Sequence, residues 1–240
     1  MQTLAPDSGL WGGEIGPKGG GNDGTCGNYS TCGTYATNLW YADNLARRAA
    51  QGYTQFQRQD LFGGAYGLTN SVTGARSLAF HDSLVIHPNY WIAFLWKRLV
   101  GVHVLAATTS NEHVRAYAFT GRPPSSFAAS ECVDSSLQLI LINLYNAATV
   151  GVELPVTSVN KHVDKEELEF AVWTLEPQDV TEPRGRISFL NGQELQTMID
   201  VNQIDPNTFL TNLTIPAVKK KVQDGIVLPP VSISFVCYNH

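Results

Sequence analysis

The sequence lacks several features that would define a class of protein at once. No stretch approaches the roughly 20 consecutive apolar residues that a membrane-spanning helix needs. Charged residues make up only 15% of the chain, and the net charge is -5 with a sequence pI of 5.6. This balance argues against a broad basic surface for nucleic acid or a highly sulfated polyanion. The one dense cationic run, Lys219 to Lys221, is typical of a solvated strand end.

The four cysteines form neither a CxxC pair nor a zinc-like spacing with histidine, so we expect no metal site and no cofactor. Two disulfides are expected instead. Cys132 lies just before a core strand and Cys237 lies in the last strand, which makes them one candidate pair. Cys26 and Cys32 are the second candidate pair and would close a glycine-rich loop.

Two N-glycosylation acceptor patterns begin at Asn28 and Asn212. Together with the even number of cysteines, they favour an oxidising, secretory environment. The amino terminus nevertheless lacks the basic, apolar and small-residue pattern of a signal peptide. We therefore expect either a cytosolic chain or one whose natural beginning is missing.

The first hundred residues alternate between strand-like and helix-like patterns. A helix is predicted from about Tyr35, with apolar residues at helical spacing and Gly52 at its end. A strand is predicted within QFQRQDLF, residues 55–62, and a second helix begins at Pro88 and is closed by Gly101. This order predicts an α/β barrel or an open α/β sheet.

After residue 102 the pattern changes to short segments rich in β-branched and aromatic residues, separated by Asn, Gly and Pro turns. Strands without intervening helices predict an antiparallel β-sandwich. We therefore assign residues 1–102 to the last two strand-helix units of a (β/α)8 TIM barrel and residues 103–240 to a β-sandwich. Two units cannot bury their own sheet, so the chain is expected to be the carboxyl-terminal part of a larger enzyme or a truncated copy of one.

Glu14 stands out in LWGGEIGPKGGG, residues 10–21, because glycines flank it on both sides. A carboxylate at the carboxyl end of a barrel strand is the usual position for catalysis, and the glycines leave the approach to it open. Leu10 and Trp11 would lie in the layers below. The alternative is an ordinary surface loop glutamate.

A second glycine turn follows Arg58 in RQDLFGGAYGL, residues 58–68. It would bring Gly64 and Tyr66 to the same rim as Glu14, which predicts a pocket. Arg58 is either an ion-pair partner inside the barrel or a substrate-binding residue near the site, and it could serve both roles by hydrogen-bonding the catalytic carboxylate.

With these motifs the chain resembles the heparanase-like β-glucuronidases of glycoside hydrolase family 79. The resemblance rests on LWGGEIGPKGGG and RQDLFGGAYGL and, in order, on HPNYWIAFLWKRLVGVHVL, VRAYAF and LILINLYN, and it covers about residues 9–155. It implies that Glu14 is the nucleophile at the end of the seventh barrel strand. It also implies that the uronate carboxylate or the flanking sugar is held by Gly19, Gly20, Gly64 and Tyr66.

The resemblance implies a retaining hydrolysis, in which one carboxylate attacks the anomeric carbon while a second, roughly 5 Å away, protonates the leaving oxygen. In the family, this second acid belongs to an Asn-Glu dipeptide that precedes the nucleophile. The one Asn-Glu here, Asn111-Glu112, follows Glu14 and is predicted to form a hairpin turn. The general acid/base is therefore expected to be absent from this chain. His81 or Asp82 could still reach the sugar from a loop.

Three readings stay open at this point. The chain is a weakly active or inactive portion of a glucuronidase acting on glucuronic-acid-containing glycans, proteoglycans or glycosides. Alternatively, it is a non-enzymatic module that binds sugar or pairs with a separate chain supplying the rest of the barrel. The third reading is a nonfunctional truncated product. For the full-length protein, the resemblance implies a secreted, lysosomal or vacuolar, or membrane-associated location.

Overall fold

The computed structural model of the 240-residue protein describes residues 9–17, 32–59, 61–62, 67–71, 83–122, 132, 136–153, 169–200 and 217–238. Within these residues, two α-helices and many short strands make the structure mostly β. In chain order the elements are β1 (Leu10–Ile15), α1 (Ala36–Ala50), β2 (Tyr53–Arg58), β3 (Thr69–Ser71), β4 (Ser83–Ile86), α2 (Pro88–Leu99), β5 (Val100–Leu105), β6 (Val114–Gly121), β7 (Leu137–Asn143), β8 (Val150–Val152), β9 (Glu169–Pro177), β10 (Ser188–Leu190), β11 (Gln193–Glu194), β12 (Met198–Asp200), β13 (Val218–Lys221), a 3-10 turn (Val222–Asp224), β14 (Ile226–Leu228) and β15 (Ser232–Tyr238).

Strands β1 and β2 pair in parallel and are connected through α1. Leu10 lies opposite Tyr53 and Ile15 opposite Arg58, so the carboxyl ends of the two strands meet at one edge. Helix α1 ends as predicted near Gly52, whose φ of +89° suits a residue without Cβ. This strand-helix-strand unit places Glu14 at the carboxyl end of β1.

An eight-stranded sheet forms the centre of the fold, with the order β11-β10-β9-β15-β7-β6-β5 and with β13 also paired to β9. All of its pairings are antiparallel. Strand β15 lies between β7 and β9 and is buried along its whole length. The strands predicted after residue 102 are therefore present. The Lys219–Lys221 run lies in β13, with Lys219 and Lys221 exposed as expected.

The two faces of this sheet have different coverings. One face packs against α1 and α2, and its side chains include Ile142, Trp173, Ile233 and Phe235. The opposite face packs against the two-stranded β8–β14 ribbon, with Leu141, Val172 and Val236 among its side chains. Successive strand residues alternate between these two clusters because side chains of a strand point to opposite faces.

The predicted division at residue 102 falls within β5. Helices α1 and α2, which precede it, share one apolar cluster with strands that follow it. Tyr35, just before α1, donates a buried hydrogen bond from its hydroxyl to the Leu175 carbonyl of β9 at 2.7 Å. The assignment of residues 1–102 and 103–240 to separate domains stays a prediction.

The structure contains the expected disulfide between Cys132 and Cys237, with the two Cα atoms 5.6 Å apart. It joins the segment that precedes β7 to the end of β15, which are neighbours in the large sheet. Cys32 is also disulfide-bonded. Its expected partner, Cys26, lies outside the described residues.

Candidate functional site

Glu14 is the second-to-last residue of β1, and its side chain is exposed, whereas the next side chain, Ile15, is buried. The two side chains therefore take opposite faces of the strand. Glu14 takes part in neither of the two ion pairs found among the described residues. A Cβ added to Gly13 would meet no atom within 4 Å, so the space beside Glu14 is open.

Leu10 and Trp11 were expected in buried layers below Glu14, but their relative exposures are 49% and 61%. The reason lies in the small size of the parallel sheet. Within the described residues β1 pairs only with β2, so neither strand has a further neighbour to cover these side chains. A parallel sheet is normally covered on both faces, which leaves β1 unusually open here.

Arg58 ends β2 directly opposite Ile15. Its Nη1 donates a hydrogen bond to the Ile15 carbonyl oxygen at 3.2 Å and contacts the Gln59 carbonyl oxygen. The backbone N–H of Gln59 donates to the same Ile15 oxygen at 3.1 Å. The backbone carbonyl of Ile15, the residue that follows Glu14, thus accepts two hydrogen bonds.

The guanidinium of Arg58 also lies over two aromatic rings of α1. Its central carbon is 5.6 Å from the Tyr41 ring centroid and 5.8 Å from that of Trp40. These distances are within cation–π range. Phe56, two residues earlier on the same face of β2, packs against the same apolar cluster as α1. Arg58 therefore faces the helix layer.

His87 is a buried residue near this region whose role the sequence did not reveal. Its Nδ1 donates to the Gly67 carbonyl at 2.8 Å, and its ring packs against Gly33. Burial lowers the pKa of His87, and the positive charges of Arg186 and Arg58 act in the same direction, against the hydrogen bond to Gly67. A neutral His87 thus ties the end of the second glycine turn to the start of α2.

Several predicted site residues lie outside the described part of the chain. They are Gly19, Gly20, Gly64, Tyr66, His81, Asp82 and the acceptor residues Asn28 and Asn212. Their roles therefore stay predictions. Asn111 and Glu112 lie in the turn between β5 and β6, as the sequence predicted for the one Asn-Glu dipeptide.

An open cavity of about 1030 Å³ lies on the other side of the molecule. It is bounded by β5, β6 and β7 and by the β8–β14 ribbon, and neither Glu14 nor Arg58 lines it. Its floor is apolar, with Glu153 and Asp224 among the lining residues. The cavity is separate from the expected catalytic position because it opens on the sheet face opposite the helices.

Comparison with known proteins gives one sequence relative and several fold relatives. The relative is heparanase-like protein 2 of Arabidopsis thaliana, which is 26% identical over 206 residues. The chain resembles a heparanase-like protein. The match covers 75% of this chain but only 32% of the relative, so this chain spans about a third of its length. No protein-family profile matches the chain.

The chain shares its fold with parts of glycoside hydrolases. The family 51 arabinofuranosidase of Xanthomonas axonopodis pv. citri gives a TM-score of 0.52 at 13% identity, covering 96% of this chain and 41% of that enzyme. A family 44 xyloglucanase of Paenibacillus polymyxa gives a TM-score of 0.50 at 10% identity, covering 99% of this chain and 33% of that enzyme. Such low identities establish a likeness of fold alone.

Two further properties concern the described residues only. No helix among them has the length and apolar character required to cross a membrane. No group of three or more His, Cys, Asp or Glu side chains among them is arranged to hold a metal ion.

Proposed function

We propose that this chain is the carboxyl-terminal portion of a retaining, heparanase-like β-glucuronidase and that Glu14 is its nucleophile. The observation that carries the proposal is the place of Glu14, exposed at the carboxyl end of a strand in a parallel strand-helix-strand unit. Catalytic groups of α/β barrels occupy this end of the strands. The heparanase-like relative adds support from sequence.

In this proposal, β1–α1 and β2–α2 are the last two strand-helix units of a (β/α)8 barrel, and the large antiparallel sheet with the β8–β14 ribbon is the β-sandwich. A two-stranded sheet is at best marginally stable on its own. The exposed Leu10 and Trp11 side chains are those that further barrel strands would cover. The missing strands would belong to polypeptide outside these 240 residues.

The chemistry proposed for Glu14 is attack of its carboxylate on the anomeric carbon of a glucuronide, with departure of the aglycone oxygen and formation of a glycosyl ester. Water then cleaves the ester and restores the carboxylate. Gly19, Gly20, Gly64 and Tyr66 are proposed to hold the uronate carboxylate or the neighbouring sugar. The proton donor for the leaving oxygen is proposed to come from outside this chain, because Asn111-Glu112 lies in the β5–β6 turn.

The test is covalent labelling with a glucuronide inactivator that carries an activated leaving group. Such a group departs without protonation, so adduct formation depends on the nucleophile and not on the absent acid. We expect mass spectrometry to find the adduct on the peptide that contains Glu14, and expect no adduct in Glu14→Gln. Glu112→Gln is the matched control and should label like the wild type. An adduct at Glu112, or none on any residue, would overturn the assignment.

A second candidate function is that of a non-enzymatic subunit that completes a barrel supplied by another chain. The exposed apolar residues of β1 favour it, since a partner strand would bury them. Co-purification of a second polypeptide that protects Trp11 from solvent quenching of its fluorescence would support this function. Unchanged Trp11 emission in that complex would argue against it.

A further inference from the structure

Arg58 contacts the strand that carries Glu14 through one backbone group. Its Nη1 donates to the Ile15 carbonyl, which also accepts the Gln59 N–H. Glu14 and Ile15 are neighbours in the chain, so the orientation of the Ile15 peptide group limits how the backbone at Glu14 can move. This carbonyl is therefore a point at which β2 fixes the end of β1.

The guanidinium is itself held in place by α1. It lies over the rings of Tyr41 and Trp40, and the side chain is half-buried. A planar guanidinium can stack on an aromatic face while its edge donates hydrogen bonds, which a lysine ammonium cannot do. The stack therefore links the position of the Ile15 carbonyl to helix α1.

The direction in which the Arg58 side chain points distinguishes a ligand of the substrate from a residue that positions β1. A substrate ligand would point to the open face of the strands, where Glu14 is exposed. Arg58 instead faces the helix layer with Phe56, and its contact with β1 is to a backbone oxygen.

We propose, resting on the proposed function, that Arg58 is a positioning residue that holds the end of β1, and with it Glu14, rather than a ligand of the sugar. It acts through the Ile15 carbonyl and is anchored by Trp40 and Tyr41. Removal of the guanidinium would take away one of the two donors to the Ile15 carbonyl and leave the Gln59 N–H as the other. The Glu14 carboxylate would then adopt the geometry required for attack on the anomeric carbon less often.

The experiment measures the inactivation rate constant and the inactivator binding constant separately, with the activated glucuronide, in the wild type, Arg58→Lys and Arg58→Met. Misplacement of a reacting group by about 1 Å can cost about 100-fold in rate. We expect Arg58→Met to lower the rate constant about 10-fold or more and to leave the binding constant within about twofold. Arg58→Lys should restore little of the inactivation rate constant, since a lysine ammonium lacks the planar geometry of the guanidinium.

Arg48→Met is the matched control. Arg48 also stacks on an aromatic ring, with its central carbon 5.1 Å from the Tyr53 ring centroid, but its hydrogen bond goes to Asn44 within α1. We expect wild-type labelling from this variant. A weakened binding constant in Arg58→Met with an unchanged rate constant would show a substrate ligand and overturn the proposal. Wild-type values for both constants would overturn it as well.

A second readout does not depend on chemistry at Glu14. Hydrogen exchange of the Gln59 amide reports directly on its bond to the Ile15 carbonyl. We expect faster exchange in Arg58→Met and no change in Arg48→Met. If the wild type forms no adduct, the nucleophile assignment fails, and faster exchange in Arg58→Met would still show that Arg58 holds β1. Unchanged exchange would overturn that role too.

Discussion

The hydroxyl of Tyr117 on β6 donates a 2.6 Å hydrogen bond to the carboxylate of Asp43 on α1. The bond ties α1 to the large sheet. Burial raises the pKa of Tyr117, and the hydrogen bond to Asp43 and its negative charge raise it further. The neutral phenol is thus the form that the folded protein favours.

Loss of this bond should lower stability in a pH-dependent way. Because the folded pKa of Tyr117 lies above the unfolded value of about 10, its stabilisation is complete below pH 10 and is lost as the pH rises further. We expect Tyr117→Phe to cost about 1 kcal/mol at pH 8, since the bond is only partly buried. Urea unfolding at pH 8 and pH 11 measures both effects. The decline between the two pH values should be smaller in Tyr117→Phe, and an equal decline would contradict the assignment.

The disulfide between Cys132 and Cys237 closes a loop with a sequence separation of 105 residues. Cross-links over loops of this length restrict the unfolded chain, and their removal typically costs about 2–5 kcal/mol. We expect Cys132→Ala/Cys237→Ala to lower the free energy of unfolding by an amount in this range, measured by urea denaturation. A reductant should destabilise the wild type more than the double variant. Equal stability of the two proteins without reductant would contradict the expectation.

Asn143 at the end of β7 joins three backbone segments through its buried amide. Its Nδ2 donates to the carbonyls of Ala148, Leu228 and Pro229 at 3.1, 3.2 and 2.9 Å, and its Oδ1 accepts the Tyr145 N–H at 3.0 Å. We expect Asn143→Ala to cost about 2–3 kcal/mol, because buried backbone groups lose their partners.

Asn143→Asp should destabilise the protein more than Asn143→Ala at neutral pH, because it places a carboxylate against three carbonyl oxygens. The exposed Asn146 supplies a control, and Asn146→Ala is expected to leave the melting temperature unchanged. Thermal unfolding of the three variants gives the ranking. A more stable Asn143→Asp than Asn143→Ala would refute this account of the amide.

The proposed absence of a general acid/base predicts how the chain should handle an activated aryl glucuronide. Formation of the glycosyl ester needs no acid with such a substrate, whereas attack of water on the ester normally needs a base, whose loss costs about 10²- to 10⁴-fold. We expect a burst of one aglycone per chain followed by very slow turnover.

Azide, an anion that needs no base, should accelerate turnover of the aryl glucuronide and yield a glucuronosyl azide. Glu14→Gln should show neither the burst nor the azide effect, while Glu112→Gln should show both. The product is identified by mass spectrometry. Steady turnover without a burst and without an azide effect would mean that an acid/base is already present in the chain.

Local patterns in the sequence predicted much of the fold. Apolar spacing and the Pro88 and Gly52 positions located α1 and α2, and alternating β-branched residues located β6, β7, β9 and β15. The disulfide between Cys132 and Cys237 followed from their positions next to core strands.

Other parts depend on contacts between distant residues. Strand β4 pairs with β12 across more than a hundred residues, and each of these strands is too short to give a clear periodicity. The hydrogen-bond partners of Asp43 and His87 could not be predicted from the sequence either, since both residues acquire them only through tertiary packing. For Arg58 the sequence allowed a role near the site or inside the barrel, and only the position of the α1 rings showed which face it takes.

The shared apolar cluster of α1, α2 and the large sheet has a consequence for any attempt to divide the chain. A fragment that ended at residue 102 would expose the buried side chains of Tyr41, Leu45 and Leu95 to solvent. The complementary fragment would expose Phe235 and Ile142. After proteolytic cleavage within β5, the two fragments should therefore remain non-covalently associated and should dissociate only in denaturant. Heating the intact chain should melt helices and sheet in a single step.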